Sequence, residues 1–287
     1  MRIQKLTPKS KAFPDKLRHI PSPPKELYCL ANNIEALWER PAIAIVGSRK
    51  VTPYGRQVTL KLASELAAQG IVIISGLALG VDGLAHQATV EAGRLTIAVS
   101  PCGLNRIHPS SHRELAKKIL ETGGAIVSEY PVENEPRDFQ FVARNRLVAG
   151  LARGVLITEA AEKSGSLHTA NFALEQGKEV FAVPGNITSP QSAGTNNLIK
   201  AGATPVTSAE DVLNALGLEI KEPSKREILA ANQEEHRILT LLADGVQEGE
   251  ELLKKSELPT EVFNQTLTML EINGKVHAAG NGQWALK

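Results

Sequence analysis

The hydrophobic residues of this chain fall into short continuous runs rich in valine and isoleucine, separated by longer stretches whose apolar residues recur at helical spacing. Such runs are typical of strands buried on both faces of a parallel sheet, and the stretches between them are typical of crossover helices. The predicted strands are Ala42–Val46, Ile71–Ser75, Thr96–Ser100, Ala125–Val127, Val155–Thr158, Val180–Val183 and Thr204–Val206. The predicted helices are Gly55–Ala68, Asp82–Ala92, His112–Glu121, Arg144–Leu151, Ser166–Gln176 and Ala209–Leu216. The pattern predicts an α/β domain at residues 41–217, a Rossmann-like doubly wound sheet that is mostly parallel.

The pattern changes after this domain. Residues 218–231 are polar and are predicted to form a linker. Three short helices and a hairpin with a Gly-Asn-Gly turn are predicted next, which is the outline of a winged helix. Their bounds are His236–Leu242, Glu251–Ser256, Thr260–Asn273, Lys275–Ala279 and Gln283–Leu286. We therefore predict a small C-terminal winged-helix domain at residues 232–287.

The first forty residues follow neither pattern. Residues 1–40 contain five prolines, which interrupt any long helix. We expect an N-terminal arm that packs on the α/β domain. Its basic residues are compatible with a solvated surface or with a nucleic-acid contact, and the solvated surface is the more common case.

Charge is distributed unevenly, although the chain as a whole carries only +1. Residues 231–287 hold nine acidic and five basic groups, a net charge of −4, which leaves +5 on residues 1–230. A polyanion should therefore prefer the larger domain. The two cysteines are too few for a disulfide framework, and no apolar run is long enough to span a membrane, so we expect a cytoplasmic protein without membrane insertion.

Right-handed crossovers place every strand-to-helix turn at one edge of the predicted sheet. The turn after the first predicted strand reads Gly47-Ser48-Arg49-Lys50. It combines free backbone N–H groups, a hydroxyl and cations at the positive end of a helix, which are the groups that hold a phosphate. The same glycine is also compatible with nothing more than a tight turn.

The turn after the second predicted strand excludes two common ligands. Ser75 stands where a nicotinamide-binding protein carries the acid for its ribose, and the first turn lacks Gly-x-Gly-x-x-Gly. The chain also lacks the Gly-x-x-x-x-Gly-Lys-Ser/Thr sequence of a P-loop. We therefore expect no nucleotide cofactor.

Two further segments carry candidate ligand groups. Lys163, Ser164, Gly165 and Ser166 open a predicted helix, with Thr169 one turn further along the same face, and these groups can cap the helix or bind an anion. Phe141, Arg144, Asn145 and Arg146 combine a ring, an amide and two guanidinium groups, a combination suited to single-stranded nucleic acid. Phe139 and Phe141 are equally compatible with the apolar core.

Support for enzyme chemistry is thin. Glu129 and Glu159 are a possible carboxylate pair, and His86, His108 and His112 are possible bases, but no nucleophile, triad or metal-ligand spacing accompanies them. Lone residues of this kind are more often hydrogen-bonded structural groups.

Taken in order, the turns resemble those of the DNA-processing protein A family (DprA, also called Smf). The matching stretches lie at Ala42–Gly55, Ser75–Ala88, Ser128–Pro131, Arg144–Ala152, Thr158–Asn186 and Gly194–Ala203. The resemblance implies a cytoplasmic, dimeric protein that is not an enzyme, binds single-stranded DNA and loads RecA recombinase during natural transformation. The expected DNA-binding residues are Gly47, Ser48, Arg49, Lys50, Gly76, Phe141, Arg144, Asn145, Arg146, Lys163, Ser164, Gly165, Ser166 and Thr169.

The sequence departs from the family pattern at several positions and leaves one alternative function open. Ile107-His108-Pro109 replaces a Tyr-Pro pair, and Val142 replaces a proline after the aromatic residue. The alternative is a Rossmann-like phosphoribohydrolase acting on nucleoside monophosphates, with Glu159 as its acid, although the Pro-Gly-Gly-x-Gly-Thr-x-x-Glu run of that group is absent. The acidic winged helix is expected to contact protein rather than DNA.

Overall fold

The computed structural model describes residues 2–219, 233–280 and 282–286. The chain divides into two compact units, residues 1–220 and 221–287. Apart from residues 218 and 219, the predicted linker at 218–231 lies outside the described residues.

Within residues 2–219, nine strands form one sheet. They are β1 (Gln4–Leu6), β2 (Leu27–Leu30), β3 (Ala42–Val46), β4 (Val72–Ser75), β5 (Thr96–Val99), β6 (Ala125–Ser128), β7 (Gly154–Ile157), β8 (Glu179–Ala182) and β9 (Thr204–Pro205). Their order across the sheet is β1-β2-β6-β5-β4-β3-β7-β8-β9. In this order, all neighbouring strands from β6 across to β9, including β3, β4 and β5, pair in parallel. Strands β1 and β2 pair antiparallel with each other, and β2 pairs antiparallel with β6.

Helices cover both faces of this sheet. They are α1 (Asp15–Arg18), α2 (Ile34–Trp38), α3 (Pro53–Ala68), α4 (Val81–Glu91), α5 (Arg113–Glu121), α6 (Asp138–Leu151), α7 (Ser166–Glu175), α8 (Ala193–Lys200) and α9 (Ala209–Ala215). Alternate residues of β3 point to opposite faces, so Ile43 and Ile45 pack with α3, α4 and α9, while Ala42 and Ala44 join the core formed with α1, α6 and α7. The predicted doubly wound, mostly parallel α/β fold is confirmed.

The N-terminal segment differs from the arm expected for residues 1–40. Strands β1 and β2 extend the sheet beyond β6, and Tyr28 pairs with Ser128 in the antiparallel register. Leu17 and Leu27 are completely buried. The prolines at positions 8, 14, 21, 23 and 24 lie between these short elements, where they do not interrupt a hydrogen-bonded ladder. The segment is therefore part of the domain core.

One lysine closes the carboxyl end of α6. Lys178 Nζ donates to the carbonyl oxygens of Ala149, Gly150 and Ala152 at 2.8, 2.5 and 2.6 Å. The last carbonyls of a helix have no partner within the helix, and a cation there also interacts favourably with the helix dipole. Lys178 thus ties β8 to the end of the helix that carries several candidate site residues.

We expect Lys178→Met to lower the free energy of unfolding by about 2 kcal/mol, because the carbonyl groups of three buried residues lose a charged donor while the aliphatic stem is retained. Chemical denaturation followed by circular dichroism measures this change. Lys61→Met, at an exposed position of α3, is the matched control and should change stability by less than about 0.5 kcal/mol. Equal stability of the two variants would contradict the capping role.

The smaller unit is a winged helix, as predicted. Its elements are α10 (Gln233–Ala243), α11 (Gly249–Ser256), α12 (Thr260–Ile272), β10 (Val276–Gly280) and β11 (Gln283–Leu286). The hairpin strands pair antiparallel, and Ile238, Leu252 and Leu270 are fully buried between the helices. None of the helices in the described ranges of either unit has the length and apolarity needed to cross a bilayer.

Candidate nucleic-acid interface

The candidate site lies where the order of the sheet reverses. From β3 the chain winds outward through β4 to β6, and then returns to β7 on the other side of β3. Ligands of open α/β sheets bind in the crevice at the carboxyl ends of the strands that flank such a switch point. The turns after β3 and β7 meet here, because Ser48 N donates to the carbonyl oxygen of Glu159 at 2.7 Å.

A groove of about 580 Å³ opens between these turns. We term it the switch-point groove. It brings together most of the residues predicted from the sequence, namely Gly47, Ser48, Arg49, Lys50, Phe141, Arg144, Asn145, Lys163, Ser164, Gly165, Ser166 and Thr169. Sequence reasoning missed Gln191, which reaches the groove from the segment after β8. Its position after a strand of the same parallel set was the signal that could have identified it.

The rim of the groove is cationic. Arg49, Lys50 and Lys163 have exposed side chains. The Arg49 guanidinium lies 5.5 Å from the centre of the Phe141 ring, within the range of a cation–π contact. The ring of His108 packs edge-on against Phe141, with 5.1 Å between ring centres. The histidine that replaces the family's usual tyrosine therefore supports the aromatic residue of the groove.

Phe141 owes its position to a helix that begins earlier than predicted. We expected a helix over Arg144–Leu151, but α6 begins at Asp138. The Gln140 side chain accepts a hydrogen bond from Arg137 N at 2.7 Å and so satisfies a backbone donor at the start of the helix. Phe141 and Arg144 are consequently one turn apart on one face of α6. Phe139 is not a core residue, since 63% of its surface is exposed.

Arg144 is buried beneath the groove, with only 3% of its surface exposed. Its Nη1 donates to the carbonyl oxygens of Gly76 and Val99, and its Nε donates to Asn145 Oδ1 at 3.2 Å. Burial lowers the pKa of the Arg144 guanidinium to about 10, so the group is cationic at neutral pH. Asp82, which accepts from Gly76 N at 3.0 Å, is the nearby carboxyl group whose charge offsets this burial. Arg144 is thus committed to internal contacts.

Burial also raises the pKa of the Asp82 carboxyl, and the charge of Arg144 opposes that rise. The two groups lie beneath the ends of β4 and β5, which carry Gly76 and Val99. A buried charge is tolerated only with a partner and hydrogen bonds, and here each group serves the other. The pair therefore fixes α6 against the strand ends that form the floor of the site.

The hydroxyl predicted to bind a phosphate at the first turn is already occupied. Ser48 is buried, and its Oγ donates to the carbonyl oxygen of Lys50 at 2.9 Å and accepts from Lys50 N at 3.1 Å. These bonds shape the turn so that the side chains of Arg49 and Lys50 point outward. Ser48 consequently contributes to the site by holding the turn.

The glutamate of the alternative enzyme hypothesis has a structural role. Glu159 is buried, and its carboxylate accepts from both the backbone N–H and the side-chain hydroxyl of Thr52. Thr52 is the N-cap of α3 and itself accepts from Gly55 N. A carboxylate that anchors a helix start is not positioned to assist hydrolysis. His86 is completely buried, its Nδ1 lies 2.7 Å from Thr96 Oγ1, and burial lowers its pKa to about 3.

The other wall of the groove is the amino end of α7. Ser164 Oγ and Ser166 Oγ are 2.8 Å apart, and Thr169 is buried one turn further along. Gly165 is exposed, has an ordinary helical φ of −61°, and a Cβ placed there would meet nothing within 4 Å. The protein itself has room for a side chain at this position. The absence of a side chain at Gly165 leaves the backbone accessible from the groove, beside the positive end of α7.

Two predicted residues lie outside the groove. Gly76 lines a smaller cavity of about 70 Å³, next to Arg49 and Phe141, and a Cβ at this position would collide with the Arg144 guanidinium. Arg146 points away and forms an ion pair with Glu129, a pair that is almost buried. Residues two positions apart on a helix do not share a face, so Arg144 and Arg146 do not both face the groove.

These features define a Rossmann-like protein with a cationic groove at its switch point and without the fingerprint of a nucleotide cofactor. Residues 4–217 match the family described as DNA recombination-mediator protein A, and residues 222–282 match the DprA winged helix domain. The chain belongs to the DNA recombination-mediator protein A family, which confirms the resemblance found in the sequence.

Relatives and solved structures agree with this assignment. The chain is 49% identical to protein Smf of Escherichia coli over 61% of its own length and 46% of that protein, so it spans about half of that relative. It is 42% identical to DNA processing protein DprA of Bacillus subtilis, over 72% of this chain and 69% of that protein.

Two structures are similar to this one across most of the chain. The X-ray structure of DprA from Streptococcus pneumoniae has a TM-score of 0.70 and 37% identity, covering 77% of this chain and 76% of that one. DprA from Helicobacter pylori, described for its single-stranded DNA binding mode, has a TM-score of 0.65 and 38% identity, covering 75% of this chain and 96% of that one.

Proposed function

We propose that this protein binds single-stranded DNA in the switch-point groove and acts as a recombination mediator in natural transformation. The observation that carries the proposal is the contact of Arg49 with the Phe141 ring, beside the exposed ammonium groups of Lys50 and Lys163. Cations that follow the backbone and a ring on which a base stacks are the two elements of sequence-tolerant single-strand binding.

The same elements disfavour a duplex as the preferred ligand. A base can stack on Phe141 only when it is free of its neighbours, and the bases of a duplex are already stacked. Gly165 and the start of α7 supply backbone donors for a phosphate on the opposite wall. The single-stranded DNA binding reported for the Helicobacter pylori relative supports this choice of ligand.

The proposal is tested by competition. A labelled oligothymidylate bound to the protein is titrated with unlabelled single strands or with a duplex of equal length, and fluorescence anisotropy reports its release. Single strands should displace the label at much lower concentration than duplex. Equal competition by the duplex would refute single-strand preference, and the absence of any binding would refute the function.

Gly165 offers a test of the α7 wall. We expect Gly165→Leu to remain folded, with a stability loss of no more than about 1 kcal/mol at this N-cap position. Its affinity for the oligothymidylate should fall severalfold, because the new side chain blocks the approach of a phosphate to the backbone. Thermal unfolding and anisotropy measure the two quantities. The control is Leu174→Ala, which changes an exposed residue on the same helix and should bind the oligothymidylate with wild-type affinity. Gly177 is unsuitable as a control position, because its φ of +64° would strain a leucine.

Partners and assembly form part of the proposal. We infer that the protein works in the cytoplasm, as a homodimer, and that it loads RecA recombinase onto the DNA it holds. Family membership supports each of these inferences. Analytical ultracentrifugation tests the dimer, and RecA filament formation on strands first coated with this protein tests the loading.

The winged helix is proposed to bind protein. Residues 231–287 carry −4, and α12, which corresponds to the recognition helix of such domains, contains neither lysine nor arginine. Cations supply most of the affinity for the phosphates of a duplex, so this helix lacks the main means of tight duplex binding. Tight binding of duplex DNA by this unit at physiological salt would overturn the assignment.

A further inference from the structure

A second groove, of about 630 Å³, adjoins the first one. It runs along the outer side of α4, between the start of α3 and α5. Arg49 and Lys50 line both grooves, and Arg49 also lines the smaller cavity under Phe141. A ligand held at Arg49 in the switch-point groove therefore has an open path into the second groove.

The second groove is as cationic as the first. Arg56 on α3 and Lys118 on α5 have exposed side chains and face it from opposite sides, in addition to Arg49 and Lys50. Among the lining residues that the structure describes, Glu91 alone is acidic, and its Oε1 accepts from Gln87 Nε2 at 2.8 Å. The balance of charge favours a ligand with several negative groups.

The floor between these cations suits bases. Leu79, which is 50% exposed, lies on it beside the apolar side chains of Val51 and Leu115. His112 Nδ1 lies 2.9 Å from the carbonyl oxygen of Leu77, which can only accept, so the proton is on Nδ1. The other ring nitrogen, Nε2, and the Gln87 amide add further polar capacity at the same wall. An apolar floor with a few polar groups is the usual lining of a site for an organic ligand.

We propose that the second groove carries the continuation of the same DNA strand, with phosphates near Arg56 and Lys118 and bases against Leu79. This inference rests on the proposed function and extends it, because it gives the strand a direction from the α7 wall, across Arg49, toward α5. It also predicts that the site is longer than the switch-point groove. A short oligonucleotide fills the first groove alone, whereas a longer one occupies both.

The test compares oligothymidylates of about 6 and about 20 nucleotides, one near the lower end and one beyond the upper end of the roughly 4–16 nucleotides that single-strand binding folds cover. For Arg56→Ala/Lys118→Ala we expect weaker binding of the long strand and a log-affinity against log-salt slope smaller by about 1.4, the value for two lost phosphate contacts. Binding of the short strand should be unchanged in both affinity and slope.

Lys61→Ala/Lys117→Ala is the matched control. It removes two exposed lysines from the same helices, α3 and α5, and neither lysine lines the groove. An unchanged slope for the long strand in Arg56→Ala/Lys118→Ala would overturn the inference. An equal loss for both strands, or an equal loss in the control, would also overturn it, because the effect would then be one of general charge. If the wild type bound neither strand, the proposed function would fail first.

Discussion

Arg144→Met is expected to lower the free energy of unfolding by about 3–5 kcal/mol, a large fraction of the roughly 5–15 kcal/mol typical of a folded domain. The guanidinium is buried and donates to Gly76 O and Val99 O, and its charge offsets that of Asp82. Methionine fills much of the same volume but leaves two carbonyls and a buried carboxylate without their partner. Equilibrium denaturation in urea measures the loss.

A second substitution separates the charge from the packing. In Arg144→Met/Asp82→Asn the uncompensated carboxylate is gone, so the double variant should be more stable than Arg144→Met alone. Arg94→Met, at an exposed position at the opposite edge of the sheet, controls for the loss of an arginine and should change stability by less than about 0.5 kcal/mol. A loss below about 1 kcal/mol in Arg144→Met would contradict the buried-pair interpretation.

The fold could be predicted from the sequence because its signal is repeated. Each of the strands from β3 to β8 belongs to a short, mainly apolar run followed by a turn and a helical stretch, and the parallel arrangement then places their turns together. Strands β1 and β2 were missed because their runs of three and four residues lie among prolines. Only pairing with β6 makes them strands, and such tertiary contacts leave no local pattern.

The site was predictable as a set of turns but not as a set of contacts. Gly47, Arg49 and Gly165 follow from their position after strands at one edge of the sheet. The sequence does not reveal that the Ser48 hydroxyl bonds to Lys50, or that Arg144 is buried while Arg49 is exposed. Both arginines stand in motifs of similar composition, and their difference arises from α6 packing over the ends of β4 and β5. Of these two arginines, Arg49 is therefore the one that is exposed at the rim of the groove.

Arg49→Ala should weaken single-strand binding and reduce the log-affinity against log-salt slope by about 0.7, the value for one lost phosphate contact. Phe141→Ala should behave differently. It removes a stacking surface worth about 1–3 kcal/mol per base, so affinity should fall by roughly 5- to 150-fold at one salt concentration while the slope is unchanged. Anisotropy titrations over a range of salt concentrations give both quantities for each variant.

Arg49→Lys distinguishes the charge of this residue from its contact with the ring. The ammonium group retains the phosphate contact, so the slope should return to the wild-type value, but it lacks the planar face that lies 5.5 Å from Phe141. Its affinity should therefore lie between those of the wild type and Arg49→Ala. Arg94→Ala, which removes an exposed arginine far from the turns at the other edge of the sheet, should match the wild type. If Arg49→Ala and Arg94→Ala gave the same slope, Arg49 would contribute only to the overall charge, and the switch-point groove would not be where the phosphates bind.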